Sequence, residues 1–137
     1  MPGLSVLVTG ASGFIGRHIT EYLSKKGFNI LTTDLKGADV NGDLSDKVFV
    51  LEVLAKLRFD AVVHLAAVTN IKRSIQDPYE TYVVNDFGTL NLVEVASKKD
   101  VQRFIYASSA NVYGVPLELP ISERTPFNPR TPYDYSK

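Results

Sequence analysis

An α/β fold, a parallel sheet with helices on both of its faces, is predicted by three features of the sequence. Apolar runs rich in β-branched residues alternate with amphipathic helical stretches, which is the order that a parallel sheet with crossover helices requires. The first run is joined to the first helix by Gly10, Gly13 and Gly16, set three residues apart. The run at residues 59–67 is nearly continuous in apolar character, as a strand covered on both faces must be.

Residues 4–9 read as a buried strand. The helix after the glycines repeats apolar positions at Ile15, Ile19 and Leu23 and is closed by Gly27. A second strand covers residues 28–34 and ends on Asp34. A loop rich in Gly, Asp and Asn then leads to a helix that Ser45 or Asp46 can cap, with Val48, Leu51, Leu54 and Ala55 as its apolar face. Beyond the strand at 59–67, Thr69 and Arg73 are expected in a solvated loop. Asp77, Pro78 and Glu80 mark a helix start: a capping side chain, proline at the first helical position, and an acid two residues on. That helix is expected to reach about Lys98 with Tyr82, Leu90, Val93 and Ala96 inward, and residues 101–109 form the fourth strand. Pro116, Pro120, Pro126, Pro129 and Pro132 then hold the chain out of regular structure until Tyr133. A long ordered loop of this kind is more often functional than idle.

The chain has 137 residues, enough for one domain with a sizeable core. Lys and Arg (15) balance Asp and Glu (15) and are dispersed, which argues against nucleic acid or an anionic membrane as the main partner. Apolar windows such as residues 61–68 fall far short of the ~20 residues of a membrane span. A strand within a few residues of Met1 leaves no room for a signal peptide. The absence of cysteine excludes disulfides and thiolate metal sites and fits a cytoplasmic location. With His18 as the only other histidine, His64 reads as a packed strand residue rather than a ligand, and no metal site is expected.

A strand, a tight glycine turn and a helix leave free backbone N–H groups at a helix N-terminus, where the dipole favours an anion. Separate glycines permit the turn, the approach of a pyrophosphate and close helix–strand packing. Asp34 lies near the ~20-residue offset at which an acid receives the ribose hydroxyls of a dinucleotide. A P-loop would need Gly-Lys-Ser/Thr after its glycines, but Arg17 and His18 follow Gly16.

TGASGFIG (9–16), Asp34, GDLSD (42–46), HLAA (64–67), SSANVYG (108–114) and PYDYSK (132–137) resemble, in that order, the motifs of the NAD-dependent epimerase/dehydratase family, the extended short-chain dehydrogenases. The resemblance implies a Rossmann-type domain with NAD as cofactor. Gly10, Gly13 and Gly16, with Phe14 and Ile15, would hold the pyrophosphate, and Asp34 the adenosine ribose. Asp43 and Leu44 match the pair that contacts adenine. Leu65, Ala66 and Ala67 match the strand end over the centre of the cofactor, and Ser108 is a further candidate for contact with it. Ser109, Tyr133 and Lys137 match the catalytic trio.

A free phenol is a poor base at neutral pH. A cation one helical turn away helps it, and Tyr133 and Lys137 have the spacing that puts both on one helix face. The expected reaction is proton removal from a sugar hydroxyl by Tyr133 as hydride passes to NAD, with Lys137 also binding the nicotinamide ribose. In an epimerase the keto sugar turns over and takes the hydride back on its other face. The family's dehydratases carry an Asp-Glu pair where Ala110 and Asn111 stand here, which favours an epimerase of nucleotide sugars, or a simple sugar oxidoreductase, over a dehydratase. Asp134, next to Tyr133, departs from the family's usual small residue and is expected to be tolerated at a helix start. The carboxylate of Asp34 would repel the 2′-phosphate that Lys36 could attract, so NAD is expected over NADP.

In the family the substrate-binding half lies downstream. Residues 1–137 are therefore expected to be the N-terminal part of a longer chain, the sheet cut after its fourth strand and the catalytic loop. The parent would be a homodimer, and this piece alone would have at most weak NAD binding and no activity.

Overall fold

In the computed structural model, which describes residues 3–137, β1 (Ser5–Thr9) sends Val6 and Val8 to one face of a sheet and Leu7 to the other. β4 (Ala61–His64) lies parallel to it with Leu7 opposite Val62 and Val8 opposite Val63, and divides its side chains the same way. β2 (Asn29–Asp34) and the short β3 (Val40–Asn41) extend the sheet on one side, β5 (Arg103–Tyr106) on the other. All pairings are parallel and the order is β3-β2-β1-β4-β5. Successive strands thus move outward from β1 in both directions, and the crevice beyond the carboxyl ends of β1 and β4 is where such sheets bind ligands.

Two cores result. α1 (Phe14–Lys25) lays Ile19 and Leu23 over Val6, Val8, Ala11 and Val63. On the other face α2 (Lys47–Glu52) and α5 (Gly88–Lys98) bring Val50, Leu92, Val95 and Ala96 onto Leu7 and Val62, with Leu54 from the 3-10 turn behind α2. Leu7, Leu54 and Leu92 are wholly buried, each such side chain contributing about 1.5–3 kcal/mol of apolar burial. Cover is thinner at β5, where Ile105, opposite Val63, is 51% exposed.

Several expectations need correction. The sheet has five strands because the loop after β2 contains β3, whose two residues carry no apolar run to betray it. β4 stops at His64 and β5 at Tyr106, so Leu65, Ala66 and Ala67, like Ser108 and Ser109, lie just past the ladder. Residues 69–76 are not simply a loop: Asn70 accepts the amide of Arg73 and caps α3 (Ile71–Gln76). Asp46, not Ser45, caps α2, whose inward residue is Val50 while Val48 is 68% exposed. The long helix from Pro78 runs as α4 (Pro78–Tyr82), a π-helical segment (Val83–Phe87) and α5. Its buried stripe is Thr81, Asn85, Gly88, Leu92, Val95 and Ala96, so Leu90 and Val93 face outward. Polar residues hold the inward positions because backbone groups satisfy them: Asn85 pairs with Val68, and Asn91 donates to the carbonyl of Leu44.

Candidate active site

The turn between β1 and α1 excludes side chains at Gly10 and Gly16. Gly10 sits at φ +66, and a Cβ there would lie 2.7 Å from the backbone nitrogen of Ala66. A Cβ on Gly16 would overlap the carbonyl oxygen of Gly10, to which Gly13 donates its N–H at 3.1 Å. Gly13 caps α1 without a side chain, and no acid stands in the first turn. The positive end of a twelve-residue helix is thus left facing the turn. Phe14 and Ile15 are exposed beside it. Glycine at 10 and 16 lets the backbone pack this closely, and the helix N-terminus, left without a side-chain cap, fits a pyrophosphate.

Asp34 closes one side of this turn. Its Oδ2 accepts the amide of Ser12 at 2.9 Å and its Oδ1 the amide of Leu35 at 2.7 Å, leaving each oxygen a lone pair for a diol. The Ser12 hydroxyl reaches the carbonyls of Lys36 and Gly37, fastening the turn to the loop after β2. Asp43 is exposed and accepts both donors of Ser45, whereas the side chain of Leu44 belongs to the core. Of that pair only the Asp43 side chain faces outward.

The other side is built from distant segments. Tyr133 lies on α6 (Pro132–Tyr135), which Thr131 and Asp134 hold in a reciprocal capping box. Asp134 is buried rather than a bystander, its Oδ2 accepting the amides of Arg130 and Thr131. Burial pushes its carboxyl up, but these bonds and that from the Thr131 side chain outweigh it and hold it below its ordinary value. The Lys137 ammonium lies 4.5 Å above the ring centre of Tyr106, whose hydroxyl donates to the carbonyl of Ser136. Ser108 is exposed and donates to the carbonyl of Lys137 at 2.9 Å. Ser109 uses its hydroxyl to accept the amide of Asn111, starting the 3-10 turn Ala110–Tyr113. Among the described residues the side chains of Ser109, Tyr133 and Lys137 make no hydrogen bonds to one another.

A family model described as "NAD dependent epimerase/dehydratase family" matches residues 6–137. The chain belongs to this family. It is 34% identical over 145 residues to UDP-glucose 4-epimerase of Lactobacillus helveticus, covering 98% of this chain and 44% of the relative. The crystal structure of UDP-glucose 4-epimerase from Bifidobacterium longum in complex with NAD+ and UDP superposes with a TM-score of 0.89 at 35% identity, over 97% of this chain and 45% of that one. The UDP-Glc/GlcNAc 4-epimerase of Campylobacter jejuni gives 0.92 at 32% identity, over 98% and 46%. The chain spans a little under half the length of these relatives.

In this epimerase/dehydratase family chain the two sides are joined by a relay of buried polar groups that sequence reading did not reveal. Thr89 donates its hydroxyl proton to the carbonyl of Asn85, so it must accept from Nε2–H of His64 at 2.9 Å. Nδ1 of His64 then accepts the Thr9 hydroxyl at 2.6 Å, and Thr9 accepts the amides of Leu65 and Ala66. The carboxamide of Asn85 accepts from and donates to Val68 and reaches the Ser136 hydroxyl, which donates to the carbonyl of Tyr133. His64 is buried as expected for a packed residue; burial, with the charge of Lys137, lowers its pKa to about 4 and keeps it neutral. Burial also pushes the Lys137 ammonium down and the Asp86 carboxyl up, each opposed by the charge of the other. It raises the Tyr106 phenol as well, with Asp86 and Tyr133 acting in the same direction. Of these residues His64, Tyr133 and Lys137 stand out in the sequence, whereas Thr9, Asp86, Thr89 and Tyr106 carry no signal of their own. Among the described residues no helix is long and apolar enough to cross a membrane, and no group of three acidic or histidine side chains could hold a metal ion.

Proposed function

We propose that this chain is the N-terminal, NAD-binding part of a nucleotide-sugar epimerase, with Tyr133 as the acid/base. The observation that carries the reading is the turn of Gly10, Gly13 and Gly16 beside a fixed Asp34, joined at Thr9 through His64, Thr89, Asn85 and Ser136 to the backbone of Tyr133. Gly10, Gly13, Phe14, Ile15 and Gly16 would hold the pyrophosphate, Asp34 the adenosine ribose, and Asp43 with Leu44 the adenine end. Leu65, Ala66, Ala67 and Ser108 would line the path toward the reacting centre. NAD, when bound, supplies a hydride acceptor that later becomes the donor.

Tyr133 takes the proton of a sugar hydroxyl and returns it after the keto sugar has turned. Ser109 hydrogen-bonds the same oxygen and holds it in line with the phenol. The Lys137 cation stabilises the phenolate and binds the nicotinamide ribose; its seat on Tyr106 keeps it on the Tyr133 side of the sheet. Names of relatives point to a uridine diphosphate sugar as substrate, and Ala110 and Asn111 in place of an acidic pair favour epimerisation over loss of water. A cytoplasmic, homodimeric parent belongs to the same proposal.

The test compares the 137-residue chain, at its mass of 15.1 kDa, with the complete polypeptide, each given NAD and UDP-galactose. The complete polypeptide should interconvert UDP-galactose and UDP-glucose, Tyr133→Phe should lower kcat at least ~100-fold, and the 137-residue chain should be inactive. Turnover by the short chain would overturn the reading of it as a part, and turnover that survives Tyr133→Phe would overturn the acid/base assignment.

A further inference from the structure

We propose that Ser74 is a positioning residue for Tyr133; the inference rests on the acid/base assignment above. The first turn of any helix has amides without partners inside the helix. In α6 Pro132 has none to satisfy, the Asp134 amide goes to the Thr131 hydroxyl at 3.2 Å, and the Thr131 amide goes to Asp134 Oδ2 at 2.9 Å. The Tyr133 amide remains, and it donates to the Ser74 hydroxyl at 3.2 Å, a bond between residues far apart in the sequence.

Ser74 is wholly buried, and its own proton goes to the carbonyl of Ile71 at 2.7 Å. The hydroxyl is therefore oriented with its oxygen free to accept, which is the only role Tyr133 N–H can use. α3, which carries it, is itself fixed. Asn70 caps it, and the Arg73 guanidinium grips Glu80 at the start of α4 through two nitrogens, the Nε contact being 2.8 Å.

At the far end of α6, Ser136 is held by Asn85 at 2.8 Å and by the Tyr106 hydroxyl at 3.1 Å. A four-residue helix pinned only there would pivot about Ser136 and swing the phenol relative to Lys137. Ser74 supplies the second pin, on the residue that carries the phenol.

Nuclear magnetic resonance on the 137-residue chain without substrate reads two signals: hydrogen exchange at the Tyr133 amide, and the ring-current shift that Tyr106 imposes on the ε-methylene protons of Lys137. Ser74→Ala should speed Tyr133 exchange roughly tenfold, the factor that one lost hydrogen bond corresponds to, and should reduce the ring-current shift, while the amides of Leu7 and Leu92 keep their protection. Ser74→Thr, which keeps the hydroxyl, should restore both signals. Arg73→Ala, which breaks the exposed ion pair but leaves the hydroxyl, should change Tyr133 exchange by roughly twofold at most. Unchanged exchange in Ser74→Ala, failure of Ser74→Thr to restore it, or an equal rise in Arg73→Ala would overturn the proposal. Should Ser74→Ala not fold, Ser74→Cys, of similar size but a weak acceptor, is read in its place. Because the amide is retained in Tyr133→Phe, the pin can be measured there too, and it stands or falls separately from the proton chemistry assigned to the phenol.

Discussion

The turn from Gly10 to Gly16 and the helix from Pro132 to Tyr135 carry the two halves of the proposed site, yet they are made in different ways. In the first, glycines define the geometry by lacking side chains: the carbonyl of Gly10 sits where a Cβ on Gly16 would go, and the backbone of Ala66, just past the end of β4, where a Cβ on Gly10 would go. In the second, four residues too few to hold a helix alone are held by a local capping box and by groups lent from elsewhere, Ser74, Asn85, Tyr106 and Ser108. One is specified chiefly by close backbone packing that only glycine permits, the other chiefly by hydrogen bonds from distant side chains. Damage to the first should be abrupt and damage to the second graded.

Gly10→Ala should therefore cost most. A positive φ and a Cβ 2.7 Å from backbone act together, and urea unfolding should show a loss of about 3 kcal/mol or more. A cost below that of a lost cap would break the comparison. Next comes the relay that joins the two regions. Burial lowers the folded-state pKa of His64 from 6.5 to about 4, so the unfolded chain takes up the extra proton first as pH falls. The stability that neutral His64 contributes is complete above pH 6.5 and is lost as pH falls toward 4, by up to ~3 kcal/mol. Urea midpoints measured between pH 7 and pH 4 check it. A profile flat through that window would mean the relay carries little. Asp134, held below its ordinary value, adds a loss of the same sign at lower pH. Thr131→Ala should cost least, about 1 kcal/mol for a helix cap, because Asp134 Oδ2 still receives the amides of Arg130 and Thr131.

The same contrast explains what could be read in advance. The parallel sheet, the glycine turn, Asp34 and the Pro78 helix start all rest on residues close in sequence, and each stands where the pattern places it. On the long helix the apolar periodicity places Ala96 inward correctly but also selects Leu90 and Val93, which face outward, whereas Asn85 and Asn91 face inward to bond the backbones of Val68 and Leu44. A polar residue reads as a surface residue until its partner is known, and those partners lie in other segments. Thr9, Ser74 and Thr89 were invisible for that reason, and β3 because two residues carry no period. Asp134 looked like a charge to be tolerated beside Tyr133. It is the residue that closes the cap beneath it.

The central claim is that the glycine turn and Asp34 together form an NAD site in this chain, and titration calorimetry with NAD tests it most directly. Weak, saturable binding of one NAD per chain is predicted, weakened roughly tenfold or more in Asp34→Ala, which removes the acceptor for the ribose diol. A folded sample that takes up no NAD, or one whose affinity is the same with and without the Asp34 carboxylate, would contradict it.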